Sequence, residues 1–169
     1  GTIAKTLLRA SSPSDPLLVG QNYLHTPVYV LHGDADETEP VREPRAMRGA
    51  LVKLGAMVAW HEEPGQGHWY DTDPEPGANC VDWPPIFDLF ARTKVPLDSE
   101  VLRLRFATLS PAIHSSTHWA TIGQQERPLL PSEVDLTSRP FRREIVGTTK
   151  NVAHLELRPA ALHGGGSWS

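Results

Sequence analysis

A chain of 169 residues, 39% of them hydrophobic, is long enough to bury a core as one mid-sized domain or two small ones. Its 16 basic and 20 acidic residues give a formal charge of -4 with no long run of either sign, so neither a nucleic acid nor a membrane surface is an expected partner. A single cysteine, Cys80, rules out an intrachain disulfide framework, and no window approaches the ~18 consecutive apolar residues of a membrane helix.

Residues 11–16 (SSPSDP) read as a loop, with order expected after them. The run PVYVL at 27–31 is β-branched and aromatic, lies between a proline and HGD, and predicts a parallel strand buried on both faces. Val41, Met47, Ala50, Leu51 and Leu54 then recur at helical spacing up to Gly55, with Pro44 tolerated in the first turn. MVAWHE at 57–62 predicts a second strand, followed at once by the turn PGQGHW, so the order is that of a strand–helix–strand unit. The segment DTDPEPGANC reads as a polar loop. WPPIFDLFAR reads as a helix with Ile86, Phe87, Leu89 and Phe90 turned inward.

Beyond 94–98 the pattern becomes alternating. Short strands are expected around 101–106, 117–123, 133–136, 142–146 and 152–157, in a small all-β, sandwich-like domain with a frayed glycine-rich tail. The expected division is therefore 1–95 and 96–169.

Asp36 follows the first of the two parallel strands and His68 the second. Catalytic groups of open parallel sheets gather at that carboxyl edge. A carboxylate there accepts the Nδ1–H of an imidazole and leaves Nε2 to take a proton from a hydroxyl. Taken alone, Asp34 and Asp36 read equally as turn formers, and Asp34 is read as structural. His25, His32, His61 and His68 with the two aspartates match no zinc spacing, so no metal is expected, and His32 is read as ordering its turn.

The strings LHGDADETEPV and MRGALVKLGAMVAWHEEPGQGHWYD resemble the C-terminal end of prolyl-oligopeptidase-like α/β-hydrolases, over roughly residues 15–93. The resemblance implies an α/β class, as the C-terminal part of an α/β-hydrolase fold ahead of the β-rich domain. It makes Asp36 the triad acid and His68 the triad base, with Gly65 and Gly67 presenting the imidazole. Glu37-Thr38-Glu39 replaces the family's usual Asp, Asn and Val, so a differently shaped acid loop is expected.

The nucleophile of such an enzyme sits on a G-x-S-x-G elbow upstream of the acid, and the sequence contains none. Gly165–Ser169 (GGSWS) and His163-Gly-Gly-Gly follow the histidine and read as coincidences, and Cys80 reads as an inert thiol. Trp69 and Tyr70, next to His68, are the candidate substrate-lining residues, whereas Trp60 and Trp83 read as core. The expected function is thus a C-terminal fragment of a serine hydrolase, peptidase or esterase. It would supply Asp and His toward a peptide or ester substrate, with the nucleophile in a missing N-terminal part and no cofactor. The alternative is a non-catalytic binding or accessory module carrying a degenerate hydrolase remnant.

Overall fold

The computed structural model describes residues 2–11, 15–71 and 79–158, with backbone only at 79 and 80. In chain order these form α1 (Thr2–Ser11), β1 (Val28–Gly33), α2 (Arg42–Leu54), β2 (Val58–Glu63), α3 (Pro84–Arg92), β3 (Arg103–Thr108), β4 (Ser116–Thr117), β5 (Ala120–Gln125), β6 (Ser132–Arg139), β7 (Glu144–Lys150) and β8 (Val152–Leu157). A 3-10 stretch, Pro16–Tyr23, precedes β1. The tail strings at 163–169, the residues 72–78 of the polar loop and the Cys80 side chain lie outside the described residues.

Contacts divide the chain into two units, Tyr23–Val95 and Gly1–Asn22 with Pro96–Ser169. In the first, β1 and β2 pair in parallel from Val28↔Val58 to Gly33↔Glu63. Their single connection is α2, which Gly55 stops in the left-handed region at φ 91°, its N–H returning to the Leu51 and Val52 carbonyls. Leu51 is 1% exposed and anchors the helix, while both strands remain half-buried rather than covered on both faces. Pro84 and Pro85 start α3, but Phe87 and Phe90 stay exposed and meet edge to face at 6.3 Å instead of turning inward.

The expected fold class is overturned. Among the described residues the chain is β-rich, with three small sheets and three short helices, and its parallel sheet stops at two strands. That is not the C-terminal part of an α/β-hydrolase. The misreading has a physical cause: one helix crossing between two hydrophobic runs satisfies strand–helix–strand spacing whether or not further strands flank it. A helix also stands where order was expected to begin only later, α1, every residue of which is exposed.

In the second unit two antiparallel sheets, ordered β3-β6-β7 and β4-β5-β8, enclose one core. Leu104, Phe106, Val134 and Leu136 come from the first sheet and Ala120 and Ile122 from the second, with Trp119 between, each 5% exposed or less. The alternating burial of β6, from Ser132 to Arg139, shows why: one face of a pleated strand meets the core and the other meets water. Trp119 is fully buried and gives its indole N–H to the Val101 carbonyl at 2.8 Å, so its polar end is satisfied inside. Between β7 and β8 a single residue, Asn151 at φ 56°, carries the chain from one sheet to the other.

Candidate functional site

The site is built by two loops, each leaving the carboxyl end of a parallel strand. Gly33, the last residue of β1, is the point of closest approach. A Cβ there would collide with the carbonyl oxygens of Gln66 and Gly67, so only glycine lets the loop after β2 lie against the end of β1. The Ala35 N–H donates to the Gln66 carbonyl at 2.9 Å and the Asp34 N–H to the Glu63 carbonyl at 3.0 Å. Gly65, at φ 72°, turns its N–H onto Asp34 Oδ1 at 2.5 Å. Asp34 is thus a structural tie between the loops.

Those ties bring Asp36 and His68 together. His68 Nδ1 lies 2.8 Å from Asp36 Oδ2. Asp36 Oδ1 accepts the N–H of Thr38 at 2.8 Å and of Glu39 at 2.9 Å. The segment Glu37-Thr38-Glu39 thus grips the acid through the Thr38 and Glu39 backbone amides, which any side chains at those positions would supply. The acid side chain is only 2% exposed and the imidazole 34%, so the pair presents its base to solvent and its acid to the protein.

Burial pushes the Asp36 carboxyl up. Hydrogen bonds from the Glu39 amide, His68 and the Thr38 amide outweigh it and hold the group below the ordinary carboxylate range. Asp36 is then ionised at neutral pH and can only accept, so the hydrogen of the short contact sits on His68 Nδ1. Nε2, on the other side of the ring, has no hydrogen-bond partner among the described residues.

The two aromatic neighbours part ways. Trp69 is 71% exposed and meets the His68 ring edge-on at 5.1 Å, whereas Tyr70 is buried, at 7%. Of the other histidines, His61 donates to Glu63 at 2.6 Å and stacks on Trp83 at 4.5 Å. His32 sits beside Asp36, its Nε2 2.8 Å from the Glu39 carbonyl and 3.6 Å from Asp36 Oδ2. No group of three or more His, Cys, Asp or Glu suited to a metal occurs among the described residues. Trp83 is tied by its indole N–H to Tyr29 Oη at 2.8 Å, and Trp60 carries Arg48 over its ring at 5.2 Å.

Sequence reasoning singled out Gly65 and Gly67 and passed over Gly33, although Gly67 has open space around it and no positive φ. The signal was present in the HG dipeptide at the end of a β-branched run, where glycine marks a close approach of backbone.

No family model matches the chain, and no solved structure matches it. Over 118 residues it is 34% identical to an uncharacterized secreted protein of Arthroderma benhamiae, an alignment covering 68% of this chain and 12% of that protein. The chain therefore spans little more than a tenth of the relative's length, and that relative's name carries no activity.

Proposed function

We propose that Asp36 and His68 are the acid and base of a serine hydrolase acting on a peptide or ester, and that the nucleophile comes from outside this chain. The observation that carries the reading is the 2.8 Å contact between His68 Nδ1 and a buried, amide-gripped carboxylate, with Nε2 left unpartnered among the described residues. His68 Nε2 takes the proton of a serine hydroxyl as that oxygen attacks the acyl carbon. The imidazolium, stabilised by Asp36, returns the proton to the leaving group. Water then repeats the sequence on the acyl-enzyme and frees the acid. Trp69, exposed and edge-on to the imidazole, would be the side chain that the leaving or acyl group meets beside His68. The length of the secreted relative is in keeping with a longer protein that would hold a serine, and its name favours export.

Fluorophosphonate labelling tests the reading on the longest natural polypeptide that contains this segment. A serine is labelled in the unsubstituted protein, and His68→Ala slows labelling by ~10³-fold or more, with Asp36→Asn losing ~10²–10⁴-fold. Absence of label from the unsubstituted protein overturns the proposal and leaves the non-catalytic module as the reading. Equal labelling of the His68→Ala variant overturns it too.

A further inference from the structure

His32 is not used by the mechanism, yet its imidazole faces the same carboxylate as His68. Its side chain is 14% exposed, at the penultimate position of β1. Nε2 lies 2.8 Å from the Glu39 carbonyl oxygen, and a carbonyl only accepts, so the hydrogen of that contact is on Nε2. Glu39 is held from both sides: its N–H is given to Asp36 Oδ1 at 2.9 Å and its C=O receives the His32 ring at 2.8 Å. The ring that fixes Glu39 therefore fixes one of the two amides that fix Asp36.

We propose that His32 is the positioning residue of the dyad, its Nε2–H pinning the Glu39 carbonyl and so the turn of residues 36–39 that aims Asp36 at His68. The inference rests on the hydrolase reading for its purpose but not for its geometry. Strand β1 supplies the anchor, since the ring springs from a strand paired in register, His32↔Glu62, rather than from the loop it steadies. The charged groups facing the ring are Asp36, with Oδ2 at 3.6 Å, and Glu62 of β2, its register partner. Glu62 is in turn occupied by Arg45. A second imidazole placed only to add positive charge near Asp36 would compete with His68 for the carboxylate. A pin on Glu39 supports His68 instead. The two roles predict opposite signs.

The experiment is a histidine titration of the full 169-residue chain by proton–nitrogen NMR, on the unsubstituted protein and on His32→Gln, His32→Asn and His32→Leu. Gln reaches Glu39 with an N–H donor, Asn is polar but too short, and Leu has no donor. The expected result is that the His68 pKa falls by ~1 unit in the Asn and Leu variants, as Asp36 loses its aim, and returns to the unsubstituted value in the Gln variant. A His68 pKa that rises in both short and apolar variants, or stays unchanged in them, overturns the pin. Equal behaviour of Gln and Asn overturns it as well. If the Leu variant fails to fold, the Gln–Asn comparison decides alone. No hydrolysis enters the readout, so failure of fluorophosphonate labelling with the titration as stated removes the enzyme and keeps the pin, and the converse result does the reverse.

Discussion

At the scale of single residues, the geometry of the acid–base pair depends more on what is missing at Gly33 than on any side chain. The carbonyl oxygens of Gln66 and Gly67 occupy the space a methyl group would need, and they are backbone, so no rotamer change relieves the clash. Gly33→Ala is therefore expected to cost ~1–3 kcal/mol in urea unfolding of the unit that holds it and to push the residue 66–68 loop off the end of β1. The checking measurement is paired: the unfolding midpoint, and the NMR chemical shift of the His68 Nδ1 proton, which vanishes from the strongly hydrogen-bonded range if the loop moves. Gly67→Ala, by contrast, meets open space and is expected to leave both readouts within experimental error. A mild Gly33→Ala or a disruptive Gly67→Ala would show that the loop is set by something other than this contact.

Much of the candidate site was legible in the sequence because strand ends and turn chemistry are local properties. A carboxylate after PVYVL and an imidazole after MVAWHE could be placed at one edge from a period and a spacing. What could not be read was long-range or came from backbone: the collision space at Gly33, the grip of the Thr38 and Glu39 amides, and the His32 ring on a carbonyl seven residues away. Amides carry no side-chain signature, so nothing in the side chains of Glu37-Thr38-Glu39 announced that the Thr38 and Glu39 N–H groups hold the acid. The overall class failed for a related reason. Two strands and a helix look the same in sequence whether they end a large sheet or stand as a pair, and among the described residues they stand as a pair.

At the scale of elements, two devices hold segments that the sheets do not. Asn22, at the end of the 3-10 stretch, brackets the backbone of Ala107 in β3: its side-chain amide donates to the Ala107 carbonyl at 2.9 Å and its Oδ1 accepts the Ala107 N–H at 2.8 Å. One side chain so replaces a neighbouring strand at that point. Asn22→Leu keeps the volume, leaves both backbone groups unpaired, and is expected to lower stability by ~1–3 kcal/mol, read as a shift of the urea midpoint without change of slope. An unchanged midpoint would mean water satisfies Ala107 equally well.

The second device is ionic and shows in acid. Arg45 and Glu62 join α2 to β2, and the guanidinium hydrogen bond holds the Glu62 carboxyl below its ordinary range. Asp36 is held low as well, against its burial, by the Glu39 and Thr38 amides and His68. In both, the folded state binds its proton less readily than the unfolded chain. Their contribution is complete above the unfolded values, near pH ~4, and is lost as pH falls through the lower folded values. The acid limb of stability should therefore flatten in Asp36→Asn and in Glu62→Gln. Added salt at ~1 M should weaken the Glu62 share, an exposed ion pair, and spare that of Asp36, which rests on amides. Parallel acid limbs for all three proteins would remove Asp36 and Glu62 as the cause.

At the scale of the whole molecule, the two units differ in how much they bury within themselves. In the unit built from Gly1–Asn22 and Pro96–Ser169, Leu104, Phe106, Trp119, Ala120 and Ile122 are all 0% exposed and touch one another across two sheets. In Tyr23–Val95 the buried apolar residues among those described are Leu51, Ala56 and Tyr70, while Met57, Trp69, Phe87, Phe90 and Val95 are each more than half exposed. Burial of apolar area is the main favourable term in folding, at roughly 25 cal/mol per Å². The second set has therefore far less to set against the entropy of ordering its backbone. The consequence is a difference in opening free energy. Amides of β1 and β2, though hydrogen-bonded in register, are expected to exchange through openings costing only ~2–4 kcal/mol, whereas those of β3, β5 and β6 should need most of the ~5–10 kcal/mol of a small domain. Native-state hydrogen exchange on the full chain, followed amide by amide in low urea, measures both. The Trp119→Ala variant, which removes the centre of the β core, should bring the second group down by ~3–5 kcal/mol and leave the first where it was. Equal protection in β1 and β3 before any substitution would mean that Tyr23–Val95 is stabilised by something other than its own core. The exposed faces of Met57, Phe87 and Phe90 would then be the place to look for what covers them.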